Sequence, residues 1–159
     1  MLSSSGFDVI TTRTDDSSTE SIKQQKIPSR KKSDLKNRLQ LMKDNPDAVF
    51  VSIHLNKFTT SAACGSQIFY SGNDNSSKIL ADCIQTSIVN KLQPTNTRVN
   101  KQATSSTYLL YNATVPAALV ECGFLSNKAE LESLKNNEYQ QKMAFCIYCG
   151  ILEYFGNKV

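Results

Sequence analysis

The chain has 159 residues, of which 40% are hydrophobic and 20% charged, a composition typical of a globular domain with its own core. Its net charge of +4 at pH 7 weakly favours an anionic partner, and without a basic recognition helix or aromatic platform it argues against nucleic acid. The sequence contains no apolar run near the ~20 residues that span a bilayer, and its first residues lack the pattern of a secretory signal.

The chain begins with a predicted strand, a loop and a helix. Residues 7–13 alternate apolar and polar side chains, which predicts a strand with one less buried face. Residues 14–33 are polar and aperiodic around Pro28, which predicts a flexible loop. Its basic side chains are typical of a solvated run of charges. The alternative is that they contact an anionic polymer. They are Lys23, Lys26, Arg30, Lys31 and Lys32. Ser33 is a suitable N-cap for a helix that ends before Pro46.

The second predicted strand delivers the single histidine of the chain. Residues 48–53 form an apolar run typical of a buried strand, and His54 follows it. The order of helix and then strand suits a right-handed crossover in a mostly parallel sheet. Neutral imidazole is the commonest protein ligand for zinc, although a lone histidine at a strand end is more often structural.

Three elements and one irregular segment come next in the chain. Residues 67–70 predict a short strand, and residues 76–92 carry the apolar stripe of a helix that ends before Pro94. Residues 95–106 are polar and predict no regular structure. Residues 108–111 combine aromatic and aliphatic side chains and predict a short strand.

The most informative stretch surrounds Glu121. Residues 117–120, bounded by Pro116 and Gly123, predict a strand that is buried on both faces and presents Glu121 at its carboxyl end. Ligand crevices in open α/β sheets lie outside these ends, so Glu121 and His54 together would offer the carboxylate and imidazole of a hydrolytic zinc site. The alternative, that Glu121 caps a loop amide or pairs with a surface lysine, stays open on this stretch alone.

The chain ends in two predicted helices. Asn127 and Glu130 resemble a capping box that begins a short helix through Leu134. Residues 138–155 form the longest periodic segment and predict a terminal helix packed on the sheet, with Gly150 as an unfavourable interior position. The elements together predict an α/β fold with a mostly parallel sheet and helices on both faces, in three layers.

The cysteines are odd in number and do not describe a disulfide framework. They are Cys64, Cys83, Cys122, Cys146 and Cys149. Cys146 and Cys149 have the spacing of a redox or zinc pair, but they lie in a helical pattern without a second pair, which favours buried packing. Cys122 follows Glu121 and should point to the opposite face, towards the core. A cysteine hydrolase that uses His54 with Cys122 is the weakest interpretation.

Several motifs resemble the zinc-dependent N-acetylmuramoyl-L-alanine amidases (amidase type 3), which cut peptidoglycan. They are residues 52–56, residues 65–70 and residues 115–127 with Glu130. Residues 34–39, Tyr70 and Tyr111 also look like the germination-specific, spore-cortex branch of that family. The resemblance covers residues 6–155, nearly the whole of a single domain that spans residues 1–159.

The resemblance implies hydrolysis of the amide between N-acetylmuramic acid and L-alanine, with zinc as the cofactor and peptidoglycan as the partner. His54 matches a zinc ligand of the family, Glu121 matches its catalytic glutamate, and Asn56 is a candidate substrate-binding residue. The resemblance also implies a location outside the cytoplasm, in the cell wall or the spore envelope. It leaves the oligomeric state open.

The resemblance also shows what the chain lacks. In that family two histidines and a glutamate hold the zinc, and the first histidine lies in a Gly-His-Gly-Gly loop after the opening strand. His54 alone carries over, which implies a domain without its first strand and helix, and we expect the natural start to lie upstream of Met1. Such a chain should fold poorly alone and hold zinc weakly. The alternative function is a degenerate, non-catalytic module that binds the wall or another partner.

Overall fold

The computed structural model describes residues 1–13 and 27–156, and its strands form one sheet. The strands are β1 (Phe50–Asn56), β2 (Gln67–Tyr70), β3 (Lys101–Gln102) and β4 (Ala117–Phe124). Their order across the sheet is β1-β4-β2-β3. β1 pairs with β4 in parallel and β2 with β3 in parallel, whereas β2 and β4 are antiparallel. The predicted α/β fold with a mostly parallel sheet is confirmed.

Helices cover both faces of this sheet, as predicted. They are α1 (Ile27–Asp44), α2 (Asn75–Lys91), α3 (Tyr108–Tyr111), α4 (Lys128–Lys135) and α5 (Asn137–Gly156), and a short 3-10 helix (Ser3–Ser5) precedes them. None of the helices in the described part of the chain is long and apolar enough to cross a membrane.

β4 is the central strand, and its alternating side chains enter two separate cores. Ala118, Val120 and Cys122 are buried in the larger core with residues of α2 and α5. Ala117 and Leu119 belong to the smaller core, which α1 and α3 close on the other face. This confirms the prediction of a strand buried on both faces. The strand continues to Phe124, however, so the prediction that it ends at Glu121 was too short.

β1 forms one edge of the sheet and has β4 as its neighbour among the described strands. It is longer than predicted and contains His54 within its span. Two of its apolar side chains are largely open to solvent, since Ile53 is 61% exposed and Leu55 is 49% exposed. An edge strand leaves one row of backbone groups without a ladder partner.

Gly150 in α5 is required by the close packing of α5 on α2. A Cβ at this position would lie 2.5 Å from the Cα of Ile84 and 2.9 Å from the carbonyl oxygen of Cys83. The predicted terminal helix therefore forms in spite of its glycine, because the absence of a side chain lets the two helices approach.

Residues 7–13 do not form the predicted strand. The ring of Phe7 packs against that of Phe155 with centroids 5.0 Å apart. In the described structure, residues 8–13 take no part in the backbone hydrogen bonds between elements. An alternating pattern shows which faces would be buried, but a strand forms only where a second strand supplies the ladder.

α1 begins at Ile27, so the predicted helix start at Ser33 was wrong. Pro28 lies in the first turn, where its missing N–H group would have no intrahelical partner in any case, and it is therefore compatible with the helix. The remainder of the predicted loop, residues 14–26, lies outside the described residues.

Three local predictions were overturned by contacts distant in sequence or by cap chemistry. Residues 108–111 are helical, with the Tyr111 N–H donating to the Thr107 carbonyl at 2.9 Å, because a short apolar run does not distinguish strand from helix. β3 forms in the segment expected to be irregular, because its two residues pair with β2. Asp74, and not Ser76, caps α2 by accepting from the Ser76 N–H at 2.9 Å.

We expect Gly150→Ala to lower the free energy of unfolding by about 1–3 kcal/mol, because the new methyl group meets the backbone of α2. Alanine in a helix interior otherwise stabilises by about 1 kcal/mol relative to glycine, so the sign of the effect reports the close approach. The matched control is Gly156→Ala at the end of the same helix, where a Cβ meets nothing within 4 Å. Urea denaturation of both variants measures the difference, and a stabilised Gly150→Ala would contradict the packing described.

Candidate active site

The structure brings the two predicted site residues together on neighbouring strands. His54 in β1 and Glu121 in β4 are Cα partners in the parallel ladder. Paired residues of adjacent strands point to the same face of a sheet. That face is the one covered by α1 and α3, because Leu119, two residues before Glu121, belongs to the core beneath these helices.

A β-bulge follows the pair directly. His54 pairs with Glu121, whereas Asn56 pairs with Phe124, so β4 has one more residue than β1 over this interval. Bulges of this kind bend the strand and redirect side chains, and they occur often beside active sites.

His54 is held in a defined orientation and is biased towards its neutral form. Its Nε2 atom lies 2.8 Å from the Ser52 hydroxyl, two residues earlier on the same face. Partial burial, and next the positive charge of Arg38, lower the pKa of His54 below its usual 6.5. The neutral imidazole is the form that binds a metal or accepts a proton.

Arg38 is fixed by two partners around this imidazole. Its Nε donates to Asp34 Oδ2 at 2.8 Å, and its NH1 group donates to the Thr12 hydroxyl at 2.8 Å. The guanidinium thus ties the amino-terminal segment to α1. Its position beside the site keeps a fixed positive charge near His54.

Glu121 is half-buried, and its charge has no partner among residues 1–13 and 27–156. Its Oε2 atom is buried, and no hydrogen bond joins that atom to any described residue. The side chain of Gln67, its Cα partner on β2, is engaged with the Val99 carbonyl at 2.8 Å and with Arg98 at 3.2 Å. Burial raises the pKa of the Glu121 carboxyl. A carboxylate of raised pKa beside a neutral imidazole has the character of a general base.

Glu130 plays a part that the sequence did not reveal. Its Oε1 accepts from the Gly65 N–H at 2.8 Å, and its Oε2 accepts from the Phe124 N–H at 2.8 Å. The predicted capping box was therefore half wrong: Asn127 does cap α4, accepting from the Ala129 N–H at 3.0 Å, but Glu130 does not reach back to it. The carboxylate instead clamps the loop before β2 to the end of β4.

The same loop is held by a second contact. Arg98 Nε donates to the Cys64 carbonyl at 2.6 Å, and its guanidinium lies 4.5 Å from the centre of the Phe124 ring. Gly65 has a φ of +86°, which favours glycine, and so the loop turns at that residue. These contacts fix the loop that follows β1 beside the carboxyl end of β4.

Asn56 is the last residue of β1 and lies two residues after His54. Its side-chain oxygen accepts from the Lys57 N–H at 2.7 Å, and its carbonyl accepts from the Leu125 N–H at 2.8 Å. Both bonds order the chain as it leaves the strand.

The cysteines are all free, and the thiol of Cys122 is buried and unreactive. Cys122 is 4% exposed and packs in the larger core, as predicted from its place beside Glu121. Burial, and next the charge of Glu121, raise the pKa of its thiol to about 12. The structure thus argues against a cysteine nucleophile, which has to be a thiolate.

Metal ligands are sparse in the described structure. No three histidine, cysteine, aspartate or glutamate side chains within residues 1–13 and 27–156 are grouped to hold a metal ion. A catalytic zinc site usually has three protein ligands. His54 and Glu121 alone therefore do not make such a site.

Comparison with known proteins identifies relatives of one kind. Residues 1–153 match the N-acetylmuramoyl-L-alanine amidase family. The germination-specific N-acetylmuramoyl-L-alanine amidase of Bacillus subtilis is 38% identical over 129 residues, which cover 81% of this chain and 54% of that protein. The chain thus spans about half the length of this relative.

Solved structures agree with the sequence match. The CwlD amidase of Clostridioides difficile, determined in complex with the GerS lipoprotein, is 39% identical with a TM-score of 0.92, covering 98% of this chain and 79% of that one. The catalytic domain of CwlV, an N-acetylmuramoyl-L-alanine amidase of Paenibacillus polymyxa, is 28% identical with a TM-score of 0.72, covering 94% of this chain and 73% of that one.

The raised pKa of Glu121 predicts a pH-dependent cost to stability. In the folded protein the pKa of the Glu121 carboxyl lies above its ordinary value of 4.5. At pH values above both pKa values, burial of the ionised carboxylate lowers the free energy of unfolding. Below pH 4.5 this cost disappears, because the carboxyl is protonated in the folded and in the unfolded chain. Because the carboxyl is only half-buried, solvent screens much of this cost, so we expect Glu121→Gln to stabilise the fold at pH 7 by well under about 1 kcal/mol and to have little effect at pH 4. Denaturation at both pH values tests this, with the exposed Glu138→Gln as control, which should give no such gain.

The Glu130 clamp predicts a large loss on truncation. Glu130→Ala should lower the free energy of unfolding by about 3 kcal/mol, and Glu130→Gln, which keeps one acceptor oxygen, by about half as much. The Gly65 amide should exchange its hydrogen faster in both variants. Glu132→Ala on the exposed side of the same helix is the control. Unchanged exchange at Gly65 in Glu130→Ala would show that the carboxylate does not hold the loop.

Proposed function

The chain belongs to the N-acetylmuramoyl-L-alanine amidase family, and on that premise we propose that it hydrolyses the amide between N-acetylmuramic acid and L-alanine in peptidoglycan. The observation that carries this proposal is the register pairing of His54 with Glu121 on one face of the sheet. An imidazole and a carboxylate held side by side in this way are the groups that amide hydrolysis requires.

In this proposal Glu121 moves the proton. Its buried, unpaired carboxylate with a raised pKa is suited to take a proton from the attacking water and to hand it to the leaving amine. Asn56, at the end of the neighbouring strand, is proposed to orient the substrate. The clamp at Glu130 holds the loop after β1 against the end of β4.

Zinc is the metal generally associated with this family, and His54 is the residue that we propose as its ligand. The described residues do not complete a zinc site, because they group one imidazole and one carboxylate and no third donor. Any further ligands would have to come from outside residues 1–13 and 27–156. We therefore assign to this part of the chain the positioning of His54 and the proton transfer by Glu121.

The biological setting is also a proposal. A germination-specific relative and a structural neighbour determined in complex with a lipoprotein support a role in lysis or remodelling of the spore cortex. Such a role places the protein outside the cytoplasm, at the cell wall or the spore envelope.

A second candidate function is a non-catalytic module that binds the wall. The observation that favours it is the incomplete ligand set among the described residues. It differs from the first proposal in a measurable way, because the chain would then bind insoluble peptidoglycan without releasing alanine amino termini.

The proposed roles predict different effects for the two site residues. When the chain is joined to an amino-terminal segment with a Gly-His-Gly-Gly loop and the following glutamate, we expect zinc-dependent release of new alanine amino termini from peptidoglycan. Glu121→Gln should lower the rate by about 10²–10⁴-fold and leave zinc bound. His54→Ala should lose zinc and activity together.

Elemental analysis and amino-terminal alanine release are measured on the same samples, with Glu138→Gln as control. The chain of residues 1–159 alone should retain far less than one zinc. A Glu121→Gln enzyme near the native rate would remove Glu121 from the mechanism. Tight binding of peptidoglycan without release by the joined protein would favour the wall-binding module.

A further inference from the structure

The side chain of Gln67 lies beside Glu121 and makes no bond with its buried oxygen. The two residues are directly opposite each other in the antiparallel pair of β2 and β4. Side chains in such a pair share one face of the sheet, with Cβ atoms about 4.5–5.5 Å apart, so the amide of Gln67 is within reach of the carboxylate. Gln67 is 5% exposed, yet Oε2 of Glu121 accepts no hydrogen bond from any described residue. A buried donor is thus withheld from the carboxylate next to it.

Two contacts on the far side of Gln67 fix the orientation of its amide. Arg98 donates from its NH1 group to Gln67 Oε1 at 3.2 Å, and Gln67 Nε2 donates to the Val99 carbonyl at 2.8 Å. A guanidinium group can only donate and a carbonyl group can only accept. The amide oxygen therefore faces Arg98, and the amide nitrogen faces Val99.

Arg98 is itself held firmly in the segment before β3. Its Nε donates to the Cys64 carbonyl at 2.6 Å, and its guanidinium lies 4.5 Å from the centre of the Phe124 ring. Its backbone N–H donates to Asn96 Oδ1 at 3.0 Å, and its carbonyl accepts from Gln85 Nε2 at 3.3 Å. The guanidinium is therefore a fixed support for the amide of Gln67.

The orientation of this amide matters for the neighbouring carboxylate. A hydrogen bond donated to a carboxylate stabilises its charged form and makes it a weaker base. It also occupies a lone pair that would otherwise take a proton. Because the Nε2 group of Gln67 is bound to Val99, Glu121 is spared both effects.

Building on the amidase function proposed above, we propose that Arg98 is a positioning residue, which keeps Glu121 free for proton transfer by holding the amide of Gln67 on Val99. Arg98 acts through Gln67 and not by contact with the substrate. When the guanidinium is removed, Gln67 Oε1 loses its donor and the amide is free to rotate. Its Nε2 group then donates to Glu121.

The first test uses the chain of residues 1–159 and does not depend on catalysis. In the native chain, the strongest nuclear Overhauser effects of the Gln67 amide protons should be to Val99, and in Arg98→Met they should be to Glu121. Arg98→Lys keeps a positive charge beside the loop but lacks the fork of donors, so it should release the amide as well, and it decides the question if Arg98→Met does not fold. An amide that stays on Val99 in the folded variants would overturn the proposal.

The second test measures alanine release by the joined protein described above. Arg98→Met should lower the rate by about 10- to 100-fold, because a hydrogen bond to the carboxylate stabilises its charged form. In the Gln67→Met background, which has no amide to donate, the same substitution should lower the rate by no more than about twofold. An equal loss in both backgrounds would show that Arg98 only supports the fold, and would overturn the proposal.

Glu130→Ala is the matched control, because Glu130 holds the same loop at Gly65 without a hydrogen bond to Gln67 in the described structure. Its effect on the rate should be the same in the native and the Gln67→Met backgrounds. Rescue of Glu130→Ala by Gln67→Met would contradict the specific role of Arg98. A joined protein that releases no alanine in any form would reject the amidase function, whereas the amide contacts in the chain alone would still decide whether Arg98 holds Gln67 away from Glu121.

Discussion

The structure depends on one requirement, that β4 be buried on both faces and still hold a carboxylate. Its apolar side chains alternate between a core with α2 and α5 and a smaller core beneath α1 and α3. Glu121 follows the residues of β4 that face the smaller core and lies on the same face, where that core ends. The burial that stabilises the strand is also what raises the pKa of the carboxyl. The ionised form of Glu121 therefore opposes the stability that burial of the strand provides, and such opposition is common at functional sites.

The surroundings of the site are ordered by contacts that join distant parts of the chain. Glu130 fastens the loop before β2 to the end of β4, and Arg98 bonds to the same loop from the other side. Arg38 links α1 to Thr12 while its charge acts on His54. Three charged side chains, one from α1, one from α4 and one from the segment before β3, therefore order the chain around the pair of His54 and Glu121.

The sequence was sufficient where the local pattern and the final environment agree. The apolar run before Glu121, the helical stripe of α2 and the long period of α5 all predicted elements that are present, and the two predicted site residues are indeed partners on adjacent strands. The prediction failed where the outcome depends on a distant partner. Residues 7–13 have the alternating pattern of a strand but no neighbouring strand to pair with in the described structure. β3 lacks that pattern but pairs with β2.

The residues of the candidate site could be predicted from the sequence, but the contacts that surround them could not. His54 and Glu121 stood out because of residue type and position, whereas Glu130 looked like an ordinary helix cap. Its two acceptor bonds go to amides that are 65 and 6 residues away, and no local rule anticipates the first of these. The glycine at position 65 was the one available signal, since its positive φ marks a turn that something has to hold.

His54 and Glu121 sit on strands with unequal neighbours. Glu121 lies on the central strand, whereas His54 lies on β1, which is hydrogen-bonded to one described strand and exposes Ile53 and Leu55. Strands at the margin of a sheet open by local fluctuations of lower free energy than the centre, and their amides exchange first. The imidazole and the carboxylate therefore stay aligned only while β1 remains paired with β4. A protein whose helical signal is still that of the folded state can already have lost the spacing between the two groups.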